Sequence, residues 1–569
     1  MDKLDMLKYI IPGLACLTLL ACEPARDQSV EVADLILIGE HIITMDESDV
    51  EAVAVTGDRI TATGSVDDIL KMRGTETRIV DLGDQALLPG FIDSHGHLAA
   101  VARLIEFVNV SSPPVGSAKR IGDIQKMLRD AIVENNIPPG KWVVGYGYDE
   151  SLLEEQRHPT RIDLDAISSE HPVMLLHVSL HLVAANSMGL SAHGIDAATP
   201  DPTGGRIRRW PDSTEPNGVL EETAAQPVLF GLLAASSEGL AGKFRRTLEL
   251  YASEGITTAQ DGAAVVPDVA VMRAAAAESP LPIDLVAYYH VTALSDEQRA
   301  GLAAEPYVAG FRVGGAKLVL DGSIQGKTGY LTEAYIEPPE GKGAGYRAYP
   351  MISADVFQKL LDPLLERNVP VLIHANGDAA IDMMIDGIAG SFAGKEIPDH
   401  RSVMIHAQMI REDQLDRVAE LGIVPSYYSV HPFFWGDWHR QILGEERASR
   451  ISPIRSTIKR DIPFTIHNDA PVVPSDVMRL IWITVNRKTR SGYVLGPEQR
   501  ATVMEALYAV TQGAAYQYFE EDEKGSITAG KQADFVILGT DPLEAEPDSI
   551  KDIQIIETIS RGRTVYSHK

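Results

Sequence analysis

Eight short apolar runs, separated by stretches with helical spacing, constrain the fold of this chain more than any other feature. The runs are residues 87–95, 255–261, 283–288, 315–321, 369–374, 402–406, 423–428 and 462–469. Intervening stretches such as 240–251 place apolar residues three and four positions apart, as amphipathic helices do. This alternation predicts an α/β fold, a (β/α)8 TIM-type barrel with its chemistry at the carboxyl ends of the strands.

Both ends of the chain carry a different pattern of short strands and turns. Residues 30–86 and 524–569 share this pattern, which predicts one small β-sandwich domain built from both chain ends. The barrel then occupies 87–523. Within it, residues from about 107 to 236 break the rhythm, with two strand-like runs and a loop rich in Pro and Gly around 200–218. We interpret this region as an insertion after the first barrel strand, placed over the mouth of the site.

The first 22 residues form a separate segment. Lys3 and Lys8 flank the start of an apolar stretch that is too short to span a bilayer but suits a secretory signal. It ends in Leu-Leu-Ala-Cys22, which is similar to a bacterial lipobox, and a polar tether over 23–29 follows. The sequence therefore predicts an exported lipoprotein, anchored through Cys22 and facing the periplasm or cell exterior. An ordinary signal peptide or an uncleaved anchor is the alternative.

Charge and cysteine content exclude several classes of function. A net charge of -29 argues against a nucleic-acid partner, because that partner requires a basic surface. We expect a small-molecule substrate and contact with a membrane only through the lipid anchor, and a homo-oligomer stays open. Once the signal carries away Cys16 and lipid occupies Cys22, no thiol is left for a disulfide or a nucleophile. Catalysis must then use His, Asp, Glu, Lys or a metal.

Five of the eight runs carry a potential metal ligand at or near the carboxyl end. In chain order these residues are His95 with His97, Lys317, His374, His406 and Asp469. Each residue alone has an ordinary structural role, such as an ion pair for Lys317 or a helix cap for Asp469. Their matched places on successive strands indicate a shared site, because those strand ends converge in a barrel.

These residues lie within motifs that resemble the amidohydrolase superfamily and, within it, the amidohydrolase-3 group. The motifs are residues 88–97, 216–221, 317–323, 374–378, 406–408, 467–469 and 525–535. The resemblance covers nearly the whole chain after the tether. One position departs from the common pattern: Asn468, preceded by His467, stands where a small hydroxyl residue often precedes the last aspartate.

The resemblance implies two divalent ions, with zinc favoured by imidazole and carboxylate ligands. His95, His97 and Asp469 would hold the first ion, and His374 and His406 the second. Lys317 would be carboxylated and bridge both, since a buried lysine with a depressed pKa reacts with CO2. A single-metal site is the alternative, with Lys317 as a bystander or a general acid-base group.

The reaction that the resemblance implies is hydrolysis of a carbon-nitrogen bond other than a peptide bond. A metal-bound hydroxide would attack the carbonyl of an N-acyl or N-formyl amine, and Asp469 would pass the proton to the departing amine. A deaminase or a lactone or ester hydrolase on the same site, and a non-catalytic barrel lipoprotein, are the alternatives.

Residues that contact the substrate are harder to identify. Residues 431–439, just after the seventh run, collect aromatics and imidazoles, and we expect them to form a loop that overhangs the metals. From this loop we select His431 and Trp435, and from the insertion Tyr148 and His181. The alternative is that such bulky aromatics pack the insertion onto the barrel.

Overall fold

The computed structural model describes residues 32–568, except for 47, 180–181, 203–204, 230–238 and 340. The predicted signal peptide, Cys22, the tether and His181 lie outside the described residues. Within them, no helix is both long enough and apolar enough to cross a bilayer.

The central element is a curled sheet of eight parallel strands that follow one another in chain order. We label these strands in that order: β1 Phe91–Ile92, β2 Ile256–Ala264, β3 Asp284–His290, β4 Phe311–Val319, β5 Val371–Ala375, β6 Val403–His406, β7 Val424–Tyr427 and β8 Thr465–Ile466. Each of the eight predicted runs contributes one strand, which confirms the α/β class and the parallel order.

The two ends of this sheet meet through hydrogen bonds beyond the strands rather than through a β-ladder, as far as the described residues go. Ser94 donates its hydroxyl to the Ile466 carbonyl at 2.9 Å. The Asp469 N–H donates to the His95 carbonyl at 3.2 Å, and the His97 N–H to the Ala470 carbonyl at 2.8 Å. The first and last strands therefore carry His95 and Asp469 to the same place.

The prediction that residues 87–95 form a single strand is wrong. Residues Ala86–Pro89 pair antiparallel with Phe535–Leu538 in a separate sheet, and only Phe91–Ile92 joins the barrel. Gly90 separates the two pieces, and a Cβ there would lie 2.4 Å from the Thr257 side chain. The chain changes sheets at this glycine because no larger residue fits the close approach.

Alternate residues along the barrel strands belong to two hydrophobic clusters. Ile92, Val286, Leu372 and Ile405 pack inside the sheet, together with residues such as Tyr518. Their neighbours on the strands, such as Leu285 and Ile373, pack in the larger cluster with the helices. The apolar runs are continuous because the strands are buried on both faces.

Helices follow most of the barrel strands. Those between β1 and β4 are Leu98–Leu104, Leu240–Ser253, Val266–Glu278 and Asp296–Gly301. Those from β4 to β8 are Ala354–Leu365, Asp378–Ser391, Glu412–Leu421, His431–Leu443, Glu445–Ser449 and Ile454–Ile458. Val477–Asn486, Val503–Ala509 and Gln512–Gln517 come after β8.

Two smaller sheets are formed by the chain ends. One contains Ala33–Ile38, Ala52–Thr56, Arg59–Gly64 and Arg73–Asp81, beside the short helix Val66–Ile69. The other contains His41–Ile42, Ala86–Pro89, Phe535–Leu538, Ile555–Ser560 and Arg563–Ser567. Leu35, Val53, Phe535 and Ile559 share one hydrophobic cluster across the two sheets. The sandwich arrangement and the domain bounds stay predictions.

The insertion contains a sheet of its own between β1 and β2. Its strands are Val108–Asn109, Val143–Tyr148, Val173–His177, Leu182–Ala185, Gly205–Arg209 and Pro216–Glu222. Its helices are Ile121–Glu134, Arg161–Asp165 and Ser187–Ala192. The expected loop at 200–218 is wrong: the last two strands pair antiparallel there. Pro216 is tolerated because it is the first residue of its strand.

Candidate metal centre

The carboxylate of Asp469 lies among three imidazoles at the carboxyl end of the barrel. Its Oδ1 is 3.1 Å from His97 Nε2 and 3.7 Å from His95 Nε2, and its Oδ2 is 4.0 Å from His406 Nε2. Asp469 has a positive φ of 54° and lies three residues after the end of β8. An aspartate in this sparsely populated backbone region is typical of a functional site.

His95 and His97 reach the site from a bend, not from the strand that the sequence suggested. The strand β1 ends at Ile92, and His97 forms an isolated bridge with Asp261 of β2 before the helix Leu98–Leu104 begins. The two rings meet at an angle of 75° with their centroids 5.0 Å apart. The backbone of Gly262 approaches closely, since a Cβ there would lie 2.2 Å from His95.

Lys317 lies within β4 and is only 2% exposed. Its Nζ is 3.0 Å from His95 Nε2. Burial lowers the pKa of Lys317 to about 7, although Asp469 acts in the opposite direction. A large fraction of this amine is therefore neutral near pH 7, the state that carboxylation by CO2 requires.

His374 and His406 come from β5 and β6, and their ring centroids are 4.5 Å apart. His374 Nδ1 lies 3.2 Å from Asp321 Oδ1, and His406 Nδ1 lies 3.2 Å from His467 Nε2. In each ring a protein partner engages Nδ1. Partners of this kind fix the orientation of a metal-binding imidazole.

Gln260 plays the same part for His95, and sequence reasoning missed it. Its Oε1 lies 2.7 Å from His95 Nδ1, while its Nε2 donates to the Ser94 carbonyl at 2.9 Å. An amide side chain in a buried strand was the available signal. Asp321 and His467, which contact His374 and His406, were also missed, although both lie inside recognised motifs.

The protonation states of these residues suit metal binding. Burial holds the pKa of His95 and the pKa of His406 well below the ordinary value, so both rings are neutral. Burial raises the pKa of Asp469, but the hydrogen bond and charge of His97 outweigh it and lower the pKa overall. Ligand atoms of His95, His97 and Asp469 all lie within 4.8 Å of one another. Imidazoles around a carboxylate fit a divalent cation.

A cavity of about 60 Å³ opens at these residues. Its lining residues are Ser179, Ser323, Gln325, His374, Asn376, His406, Tyr428, His431, Asp469 and Val472. The predicted substrate residue His431 is among them. Tyr428, which sequence reasoning missed, is buried, and its hydroxyl has no hydrogen-bond partner within the described part of the chain. A buried hydroxyl of this kind is suited to a ligand.

The expected loop at 431–439 is wrong, because these residues begin the helix His431–Leu443. Pro432 fits the first turn, where its missing N–H costs nothing. Trp435 is buried on this helix and donates its Nε1–H to Asp149 of the insertion at 3.2 Å. The hydroxyl of Tyr148 is bonded to His158 at 3.2 Å. Neither Trp435 nor Tyr148 lines the cavity, and their substrate roles stay predictions.

An eight-stranded parallel sheet whose strand ends gather imidazoles and a carboxylate defines a metal-dependent hydrolase. The family model described as "Amidohydrolase family" matches residues 78–566. The chain belongs to this amidohydrolase family, as the motifs predicted.

Several known proteins are similar to this chain over most of its length. N-substituted formamide deformylase of Arthrobacter pascens is 28% identical over 554 residues, which are 94% of this chain and 99% of that protein. Protein LONG AFTER FAR-RED 3 of Arabidopsis thaliana is 27% identical over 556 residues, covering 94% of this chain and 92% of that one. An uncharacterized metal-dependent hydrolase from Pyrococcus horikoshii shares the fold, with a TM-score of 0.71, 22% identity and coverage of 90% and 99%.

Proposed function

We propose that this protein hydrolyses a carbon-nitrogen amide-like bond of a small N-acyl or N-formyl amine. The observation that carries the proposal is the position of the Asp469 carboxylate, within 4.0 Å of three imidazoles in a buried cavity. Similarity to N-substituted formamide deformylase over 94% of the chain supports the choice of bond.

The residues that would hold metal are His95, His97, Lys317, His374, His406 and Asp469. Two divalent ions, zinc among the candidates, would activate a water molecule and polarise the carbonyl of the substrate. The lowered pKa of Lys317 supports a carboxylated side chain between the two ions. Gln260, Asp321 and His467 would hold three of the imidazole rings in place.

Asp469 handles the proton. Its lowered pKa keeps it a carboxylate at neutral pH, so that it can accept a proton from the attacking water. It then returns that proton to the nitrogen of the departing amine as the carbon-nitrogen bond breaks. Tyr428 and His431 border the same cavity and would contact the substrate.

A screen of metal-loaded protein tests this function. The substrates are N-formyl and N-acyl amines, amidines, ring amines and lactones, and release of free amine is the measurement. We expect formamides or other small amides to be hydrolysed, and Asp469→Asn serves as the inactive control. Turnover of lactones or ring amines without any amide hydrolysis would overturn the choice of bond, and binding without turnover of any class would favour a non-catalytic barrel.

We further propose that the protein is exported and anchored through lipid on Cys22. The sequence Leu-Leu-Ala-Cys22 after an apolar segment supports this. Wild-type protein should fractionate with membranes, and Cys22→Ala should give a soluble or unprocessed form. Identical fractionation of both forms, with an unmodified N-terminus, would contradict the anchor.

A further inference from the structure

One residue on the wall of the metal cavity comes from the insertion rather than from the barrel. Ser179 follows the insertion strand Val173–His177 and lines the cavity with His374, His406 and Asp469. The family motifs do not include this residue. A hydroxyl beside a candidate reaction centre can bond a ligand, because it carries one donor and two lone pairs.

Ser179 is held from behind by His177. The Nδ1 of His177 lies 2.8 Å from Ser179 Oγ, and the backbone N–H of Ser179 approaches the same nitrogen at 3.1 Å. One ring nitrogen therefore lies within hydrogen-bond distance of both the backbone and the side chain of residue 179. Because a hydroxyl carries one donor and two lone pairs, it can contact the ring and a ligand at the same time.

His177 is in turn fixed by a carboxylate. Glu150 Oε2 lies 2.7 Å from His177 Nε2, and Glu150 Oε1 lies 3.5 Å from His158 Nε2. Burial works against both charges of the Glu150–His177 pair, but the attraction outweighs it. The pKa of Glu150 is lowered and the pKa of His177 is raised. The imidazole thus links an ionised carboxylate to a hydroxyl on the cavity wall.

The insertion sheet builds this arrangement at the ends of two neighbouring strands. His177 and Tyr148 are partners in the parallel pairing of Val173–His177 with Val143–Tyr148, and Glu150 follows two residues later. The ring of Tyr148 meets the ring of His177 with centroids 5.1 Å apart. Asp149, which stands between Tyr148 and Glu150 in the chain, accepts a hydrogen bond from Trp435 on the barrel helix. The contact therefore ties the position of Ser179 to the barrel.

We infer that Ser179 contacts the acyl group of the substrate and its carboxylate product, and that His177 and Glu150 are positioning residues for its hydroxyl. The inference rests on the proposed function, because it takes the acyl group to be the part of the substrate that enters the metal cavity. It assigns a role in substrate recognition to the insertion.

Binding of formate tests the inference without any need for turnover. The dissociation constant of [13C]formate is measured by NMR titration of the full-length protein purified with its metals. Ser179→Ala should weaken binding about tenfold, as expected for the loss of a hydrogen bond to a charged ligand. Ser179→Thr keeps the hydroxyl and should bind like wild type. Glu150→Gln keeps the shape but loses the charge, so its affinity should fall between these two.

Ser168→Ala is the matched control. Ser168 Oγ lies 2.8 Å from His171 Nδ1 in the same insertion, yet Ser168 does not line the cavity. Its formate affinity should equal that of wild type. Metal content and thermal unfolding are measured for every variant, so that a folding defect in Ser179→Ala is recognised. In that case the formate affinity of Ser179→Thr, compared with that of wild type, decides whether the hydroxyl is used.

Equal affinity of wild type and Ser179→Ala, or no formate binding by wild type with metal present, would overturn the inference. Equal losses in Ser179→Ala and Ser168→Ala would also overturn it, because the effect would then be structural. Failure of the proposed function has a different signature. In that case formate binding depends on Ser179 while no amide is hydrolysed.

Discussion

Two buried lysines at different parts of the barrel have opposite surroundings. Lys317 is 2% exposed and its Nζ lies 3.0 Å from His95 Nε2, and burial lowers its pKa to about 7. Lys524 is 3% exposed and its Nζ lies 2.6 Å from Asp284 Oδ2. Burial acts on Lys524 in the same direction, but Asp284 and its other neighbours raise its pKa well above the ordinary value.

The difference shows how neighbouring charges give one side-chain type opposite pKa shifts in the same fold. Asp284, the first residue of β3, also accepts a hydrogen bond from Arg561 Nη1 at 2.7 Å. This network joins the amino end of a barrel strand to the C-terminal segment. Lys317 lies toward the carboxyl end of β4, where barrels place their chemistry. A lysine without a carboxylate partner is left partly neutral and reactive, whereas a paired lysine stays charged and inert.

The largest effect is expected at the candidate metal centre, where Lys317 lies. Asp469→Asn keeps the size of the side chain and one oxygen, but it cannot carry a proton. Turnover of a formamide found in the screen should fall by about 10²–10⁴-fold. Metal content should change little in elemental analysis. Loss of metal along with turnover would show that Asp469 acts mainly as a ligand, and near-normal turnover would contradict the proton transfer.

For the paired lysine of the comparison, Lys524→Met should destabilise the protein. It removes one of the cations that pair with the buried Asp284 and Glu520, although Arg312 still pairs with Glu520. Removal of one partner from a buried pair costs about 3 kcal/mol. Arg561 still pairs with Asp284, which favours the lower part of the usual range. Urea unfolding of the full chain measures the change. An unaltered midpoint would show that this pair does not stabilise the fold.

The pH dependence of metal loading tests the neutral state of Lys317. Metal-free protein is incubated with zinc, with and without bicarbonate, and the bound metal is measured. The neutral fraction of an amine rises with pH through its pKa of about 7, so bicarbonate-dependent loading should be about tenfold greater at pH 8 than at pH 6. Zinc loading that is the same with and without bicarbonate at both pH values would contradict carboxylation.

The smallest effect is expected for the stability of Lys317→Met. A buried amine that is partly neutral can be replaced by an apolar side chain of similar length at a cost below about 1 kcal/mol. The urea midpoint should therefore stay close to wild type while metal content falls. Destabilisation as large as that of Lys524→Met would erase the distinction between the two lysines.

Much of the fold followed from the sequence, because strands buried on both faces leave continuous apolar runs. Each of the eight runs contributed a strand to the parallel sheet, and the motifs placed the chain in its family. The prediction was wrong at 87–95, where the chain changes sheets at Gly90, and at 431–439, where aromatic residues form a helix. Apolar composition alone does not distinguish a barrel strand from an adjoining one, or an aromatic loop from a buried helix.

The site could be predicted only in part from the sequence, for a related reason. His95, His97, Lys317, His374, His406 and Asp469 were selected by residue type and by their position on successive runs, and the structure brings them together. Gln260, Tyr428 and Ser179 were missed. Their importance depends on which atoms they face, and those atoms come from distant parts of the chain.

The sequence by itself determined the order of the barrel strands and the family to which the chain belongs. Only the tertiary structure decided which buried lysine has a lowered pKa and which a raised one. The two lysines have the same side chain, and the carboxylate that keeps Lys524 charged lies 240 residues away in the chain. A pKa depends on burial and on charges within a few ångströms, and folding alone sets those distances.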